Sequence, residues 1–305
     1  MNKLEAFFHE QLQSGALPAG IEALTDAIAR RHGASVRAIL LYGSCLRKAD
    51  AGDGLVDLLV LVDSYRSALS SPLAAALNWL LPPNVYYLEA PDGERRLRCK
   101  YAIITLKQFR RRMRAASDLY FWARFCQPMR LAAGSAEQLI AQARADAARA
   151  FSQRIAPLLD EPHSAQAFWA RALATSYRCE LRPEPPDNAA RLIAHDPDYW
   201  QSLSQLLAAE GLLKASAAGY LSPYGFVKRQ RARLGWLLRR CSGKLFNLAR
   251  LFKAAGTFSN GIDYLVWKVE RHSGVRIEPT ERMRRHPRLA AWGLAWRMWR
   301  QGGFR

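Results

Sequence analysis

The strongest constraint on the fold is a pair of apolar runs joined by a glycine turn. The first run, residues 36–41, leads into Tyr42, Gly43 and Ser44, and the second run covers residues 55–63. Short runs of β-branched and aliphatic residues, bounded by turn residues, are typical of buried β-strands. We therefore expect two strands at the centre of a sheet, with the Gly-Ser turn at the end of the first.

A single carboxylate, Asp57, lies inside the second apolar run. An ionised side chain among Leu and Val carries a large desolvation cost. Asp57 is therefore expected either at a strand end that faces a cleft, or beside a bound cation that neutralises it. An ordinary turn followed by an aspartate at a strand end gives the same pattern, and both interpretations stay open on these residues.

The layout of strand, Gly-Ser turn and Asp-bearing strand resembles the active site of the nucleotidyltransferase superfamily. The resemblance implies that Gly43 lets the backbone approach a triphosphate and that Ser44 binds phosphate oxygens. It also implies that Asp57 holds Mg²⁺ against the phosphates. The superfamily usually has a second carboxylate two residues away, but Leu55 and Leu59 occupy those positions here.

The net charge of the chain is concentrated in its last quarter. The formal net charge is +19 over 305 residues, and residues 226–305 hold 19 basic and 4 acidic residues, a net charge of +15. This imbalance predicts a polyanionic partner for the last quarter: anionic lipid, nucleic acid or a phosphorylated substrate.

The five cysteines are scattered without metal-ligand spacing, which is typical of reduced thiols in a cytoplasmic protein.

Periodicity predicts an α+β fold in two domains: a mixed sheet with helices over residues 1–134, then a mostly helical domain over residues 135–305. The first domain is expected to contain two helices before residue 36, a helix over 64–81 and strands over 85–89 and 96–106. Helical periodicity dominates after residue 107 and includes separate helices over 227–240 and 246–254. No apolar run approaches the length of a membrane span.

Three further blocks resemble the mitochondrial translocator assembly and maintenance family, whose members make CDP-diacylglycerol from phosphatidate and CTP. The family opening is similar to Tyr42-Gly43-Ser44 with the later Asp57, and the family also has a single Asp in that strand. Its Lys-Tyr-Gly-Val-Ile-Ser strand looks like residues 100–105, KYAIIT, and its Leu-Tyr-x-x-Gly-Arg-x-x-Lys-Pro helix looks like residues 119–128, LYFWARFCQP. Its Ser-Tyr-x-Gly-Asp-x-Arg block looks like residues 176–182, SYRCELR.

The resemblance implies roles for several residues besides Asp57. Lys100 would bind the triphosphate and offset charge on the departing pyrophosphate, and Arg124 would be a second phosphate ligand. Tyr42, Gly43 and Ser44 complete the implied nucleotide site. Glu180 and Arg182 are implied as a possible site in the second domain, although a pairing with their own neighbours explains them equally well. A solvated lysine at a strand edge is the alternative for Lys100.

The function implied by the resemblance is transfer of CMP from CTP to phosphatidic acid, with Mg²⁺ as cofactor and CDP-diacylglycerol and pyrophosphate as products. Two alternatives remain: a nucleotidyltransferase-fold enzyme with a different acceptor, and a non-catalytic basic protein that binds lipid or nucleic acid. A phosphomonoester acceptor is already largely anionic at neutral pH, since its second pKa is about 6, so catalysis needs no general base.

The last helical segment predicts how the chain reaches a lipid. Residues 288–300, RLAAWGLAWRMWR, place Leu289 and three tryptophans on one stripe flanked by arginines. Trp and Arg suit an anionic membrane interface, whereas packing of the stripe on the protein core is the alternative. We expect a cytoplasmic protein that is peripheral on the inner face of a membrane, with nucleic acid the less favoured partner.

Overall fold

The computed structural model describes residues 1–114, 119–179, 187–257 and 281. The first part consists of α1 Lys3–Gln13, α2 Ile21–His32, β1 Val36–Tyr42, β2 Leu55–Val62, α3 Tyr65–Ala68, α4 Pro72–Leu80, β3 Asn84–Asp92, β4 Arg95–Thr105, α5 Leu106–Arg114, α6 Leu119–Phe125 and β5 Met129–Gly134. The second part consists of α7 Glu137–Ile155, α8 Ala165–Tyr177, α9 Asn188–Ala194, α10 Pro197–Ala209, β6 Lys214–Ser216, β7 Gly219–Leu221 and α11 Phe226–Thr257. The predicted α+β class is confirmed.

Five strands form one mixed sheet in the order β3-β4-β2-β1-β5. The pair β2 and β4 is parallel, and the other three neighbouring pairs are antiparallel. Helices cover both faces of the sheet, which explains why β1 and β2 are apolar at nearly every position instead of alternating with polar residues. The two runs that the sequence predicts as central strands are β1 and β2.

Successive side chains of the central strands enter two different hydrophobic clusters, as the alternation of a strand requires. On one face Leu40, Leu59 and Ile104 pack with buried residues of α1, α5, α6 and α7. On the other face Leu58 and Ile103 pack with buried residues of α2, α3 and α4. The first cluster continues into α8 and α10, so it includes residues on both sides of the domain boundary predicted after residue 134.

Helix α7 connects the sheet to the helical part, and a buried arginine on it secures the end of α6. Arg144 is 0% exposed and donates hydrogen bonds from Nε to the carbonyl of Phe125 (3.2 Å) and from Nη2 to that of Gln127 (2.8 Å). The hydroxyl of Tyr199 donates to the carbonyl between them, on Cys126 (2.5 Å). The carbonyls at the end of a helix lack partners within the helix, and here buried side chains supply the donors.

Several elements differ from the sequence expectation. The single helix predicted over residues 64–81 is two helices, α3 Tyr65–Ala68 and α4 Pro72–Leu80. Residues 129–134 form β5 against β1, although Met-Arg-Leu-Ala-Ala-Gly lacks the alternation of a half-buried strand. Gly134 allows the close pairing, because a Cβ there would lie 2.3 Å from the carbonyl oxygen of Arg37. In the second part, α11 is one continuous helix over Phe226–Thr257 where two helices are predicted. Among the described helices, none combines the length and the apolar character that crossing a membrane requires.

Candidate functional site

The register of the sheet places Asp57 in a row with two other predicted site residues. Asp57 on β2 lies directly opposite Tyr42 on β1 and opposite Lys100 on β4. Residues that face each other across neighbouring strands project from the same side of the sheet. Tyr42, Asp57 and Lys100 therefore share the face that carries α6 and α7, at the edge where β1 ends.

Asp57 and Lys100 form a partly exposed ion pair. The distance from Lys100 Nζ to Asp57 Oδ1 is 2.9 Å, and the two side chains are 34% and 25% exposed. Asp57 Oδ1 is itself shielded from solvent and accepts no well-directed hydrogen bond from the described residues. The contact is therefore electrostatic more than directional, and the carboxylate keeps lone pairs that another cation can use.

The turn after β1 brings the backbone against this carboxylate. Gly43 has a φ of +81°, a conformation that side chains disfavour. A Cβ on Gly43 would lie 3.3 Å from Asp57 Oδ2, so any larger residue would crowd the carboxylate. Ser44 follows in a short 3-10 turn, Gly43–Arg47, and its side chain is exposed. The turn thus places Gly43 against Asp57 and exposes the side chain of the next residue, Ser44.

Buried contacts below the turn hold it in place. Cys45 is 1% exposed, and its thiol donates to the carbonyl of Leu55 at the start of β2 (3.3 Å). Burial raises the pKa of the Cys45 thiol, so it stays protonated and acts as a small apolar residue. The turn and the first residues of β2 are therefore fixed to each other, two residues before Asp57.

Arg124 on α6 reaches the same face. Its guanidinium carbon lies 5.5 Å from the centre of the Tyr42 ring, a distance typical of a cation–π contact. Arg124 is partly buried, and the residues directly after it are held by Arg144 and Tyr199. The structure thus brings together Tyr42, Gly43, Ser44, Asp57, Lys100 and Arg124.

A second set of polar residues extends the row beyond Lys100. Tyr87 on β3 lies opposite Lys100, and its hydroxyl donates to Glu89 Oε1 at 2.7 Å. Arg98 donates from Nε to the same oxygen at 3.1 Å. Burial and the Glu89 carboxylate raise the pKa of Tyr87, which therefore remains a neutral donor. The sequence did not identify Tyr87 and Glu89, since only the register of β3 against β4 places them here.

The residues around Asp57 fit a Mg²⁺ ion that is bound together with its substrate. Protein sites for Mg²⁺ often use one or two carboxylates, with substrate phosphates and water completing the coordination. Asp57 offers one such carboxylate, and in the part of the chain that the structure describes no cluster of three metal-ligating side chains exists. Asp63 is at the other end of β2 and pairs with Arg37 (2.8 Å).

A pocket opens beside the Gly43 turn. Its volume is about 200 Å³, and Arg47, Met129, Arg130 and His195 are among the residues that line it. Met129 is also the register partner of Tyr42, so the pocket adjoins the row that contains Asp57. Asp196 also lines it, so Arg47 and Arg130 give the described lining an excess of one positive charge.

Two predicted features lie outside the described residues: Glu180 with Arg182, and the tryptophan stripe of residues 288–300. Comparison of the chain with models of known families and with curated proteins finds no match.

Proposed function

We propose that the chain is a nucleotidyltransferase that transfers CMP from CTP to phosphatidic acid, giving CDP-diacylglycerol and pyrophosphate. The observation that carries the proposal is the row of Tyr42, Asp57 and Lys100 beside the positive-φ turn at Gly43. The strand end offers one carboxylate, a cation beside it and a glycine turn, and this combination suits a metal-bound triphosphate. Arg124 adds a second cation on the same face.

The chemistry needs positioning and charge neutralisation more than proton transfer. An oxygen of the acceptor phosphate attacks the α-phosphorus of CTP, the bond to the bridging oxygen of the β-phosphate breaks, and pyrophosphate leaves with the electron pair. Mg²⁺, held by Asp57, would neutralise phosphate charge. Lys100 and Arg124 would hold the polyphosphate by charge, while the Gly43 turn and the Ser44 hydroxyl would orient it.

The proposed acceptor is a lipid, which places the reaction at a membrane surface. We propose a cytoplasmic protein that binds peripherally to the inner face of a membrane through its basic last quarter, whose net charge is +15 from 19 basic and 4 acidic residues. Each basic residue near an anionic surface contributes about 1 kcal/mol, so several together suffice for reversible binding.

The test is incubation of the purified chain with Mg²⁺, vesicles that contain phosphatidate, and CTP labelled at the α-phosphate. The proposal predicts label in CDP-diacylglycerol and an equal amount of released pyrophosphate. If label is transferred only to another phosphorylated or hydroxyl acceptor, the chain is a nucleotidyltransferase whose acceptor is not phosphatidate. Absence of any transfer, in a folded protein that binds vesicles, would favour a non-catalytic lipid-binding protein.

A further inference from the structure

One face of α11 is fixed to the protein at intervals of seven residues. Arg229 donates to the carbonyl of Leu159, and Trp236 Nε1 donates to that of Arg154, each at 2.9 Å. At Gly243 the helix passes so close to the backbone just after α8 that a Cβ would lie 2.5 Å from the carbonyl oxygen of Cys179. A spacing of seven residues corresponds to two helical turns, so these three residues define one inward stripe.

The opposite stripe of α11 is apolar and exposed. Val227, Leu234, Leu238 and Leu245 follow one another at seven, four and seven residues, and their exposed fractions lie between 59% and 68%. Leu234 is two residues from the buried Trp236, about 200° around the helix, so the two stripes face away from each other. An exposed apolar stripe of this length indicates an interaction surface.

The same helix is strongly basic. The α11 sequence contains nine Lys or Arg residues and no Asp or Glu. A helix with an apolar face and cationic flanks is typical of a segment that lies in the interface of an anionic membrane. Nucleic acid would use the cations but would leave the leucines in contact with water, so the apolar stripe favours lipid.

A pocket of about 370 Å³ lies where α11 meets α8, beside the exposed apolar stripe of α11. The lining includes Arg171 and Thr175 from α8, Arg178 directly after it, and Arg233, Trp236, Leu237 and Arg240 from α11. Among the described residues that line it, Asp160 is the only acidic one. The described part of the lining thus holds four guanidinium groups and one carboxylate, which makes the pocket suitable for an anion.

Two of the four arginines are available for that anion. Arg233 pairs with Asp160 at 3.0 Å, and Arg171 approaches the same carboxylate at 4.0 Å. Arg178 and Arg240 form no ion pair with any described residue. Arg178 follows the last residue of α8 and donates from Nε to the carbonyl of Ala174 in that helix, at 3.4 Å. A planar guanidinium group donates two parallel hydrogen bonds to two oxygens of one phosphate. Arg178 and Arg240 are therefore suitable phosphate ligands.

We propose that this pocket binds the phosphate of an anionic phospholipid while the leucine stripe of α11 lies in the membrane interface. The pocket and the stripe adjoin at Leu237, which lines the pocket and is 58% exposed. The site is separate from the row at Asp57 and goes beyond the proposed transfer of CMP. It holds the protein on the membrane whichever reaction the Asp57 site performs.

The test is sedimentation with phosphatidylcholine vesicles that contain phosphatidate. The double variant Arg178→Gln/Arg240→Gln is compared with Arg30→Gln/Arg110→Gln, which changes two exposed arginines of α2 and α5. Loss of two cations near an anionic surface is expected to weaken partitioning roughly tenfold or more, with the control variant within about twofold of the original chain. Leu234→Ser/Leu238→Ser should weaken it similarly, and Leu73→Ser/Leu80→Ser, at exposed leucines of α4, should not.

Equal partitioning of the pocket variant and its control would overturn the proposal. Loss of inorganic phosphate binding in the pocket variant, with its partitioning onto vesicles unchanged, would also overturn it, since the ligand would then be a free anion. Binding of a single-stranded oligonucleotide that the same variant loses, without binding of vesicles, would assign the surface to nucleic acid instead. CTP affinity, measured without lipid, should be unchanged in the pocket variant, so failure here is distinguishable from failure of the proposed function.

Discussion

Asp57 matters because of what lies opposite it. On β2 alone it is a strand aspartate with several possible roles, but the parallel pairing with β4 places Lys100 Nζ 2.9 Å from its carboxylate. The antiparallel pairing with β1 adds Tyr42 and the Gly43 turn. The sequence could identify these residues from their motifs. It could not give the register, which depends on long-range pairing, and for that reason Tyr87 and Glu89 were missed.

A buried histidine provides a pH-dependent test of the packing around the sheet. His32 Nδ1 donates to the carbonyl of Ala68 (2.7 Å), and the Tyr101 hydroxyl donates to Nε2 (3.0 Å). A carbonyl oxygen only accepts hydrogen bonds, so Nδ1 carries the proton, and in the neutral ring Nε2 is then the acceptor for the Tyr101 hydroxyl. Burial is the main cause that lowers the pKa of His32 below its ordinary value of 6.5.

The lowered pKa of His32 means that the unfolded chain binds a proton more readily than the folded chain. We therefore expect the free energy of unfolding to be highest above pH 6.5 and to decrease as the pH falls below that value. Urea titrations across this range should show the decrease in the original chain and a smaller one in His32→Gln. The exposed His195, changed to Gln, serves as the control. An identical pH dependence in all three proteins would contradict the assignment.

At the scale of elements, the site depends on how α6 is held against the sheet. Arg144 of α7 and Tyr199 of α10 satisfy three successive carbonyls at the end of α6, just after Arg124. Burial lowers the pKa of the Arg144 guanidinium, and its ring contact with Phe8, 4.5 Å from the centroid, adds a cation–π interaction. The helical part of the chain therefore positions a residue of the candidate site.

Replacement of Arg144 by Met should destabilise the protein strongly. The change leaves the carbonyls of Phe125 and Gln127 buried without donors, and each such group costs about 1–3 kcal/mol. We expect a total loss of roughly 3 kcal/mol in the free energy of unfolding, measured by urea denaturation. Arg110→Met, at an exposed position of α5, should change it by less than about 0.5 kcal/mol. A loss at Arg144 no larger than at Arg110 would contradict this role.

Periodicity predicted the elements that have a strong pattern of their own, such as β1 and β2. It missed β5 because that strand is stabilised by pairing with β1 rather than by its own residues. Periodicity predicted two helices, on either side of Gly243, where the structure has α11. A glycine inside a helix usually lowers the stability of that helix. In the structure that glycine permits close contact with Cys179, a reason that only tertiary packing reveals.

At the scale of the whole molecule, the basic surface and the candidate site lie on different elements. The candidate site is built from the sheet and α6, whereas the basic surface belongs to α11 and the pocket beside α8. This separation suits a protein that holds an anionic surface with one part and a nucleotide with another. Either function can then be removed by substitutions that leave the other in place.

The most direct test of the central claim compares two aspartates at opposite ends of β2. Asp57→Asn removes the carboxylate beside Lys100 and Gly43, while Asp63→Asn removes one that pairs only with Arg37 among the described residues. Transfer of α-labelled CMP from CTP to phosphatidate, with Mg²⁺ present, is measured for both variants after circular dichroism has shown that they are folded. We expect Asp57→Asn to lose activity by roughly a hundredfold or more and Asp63→Asn to retain it within about twofold. Equal activity in the two variants would contradict the account.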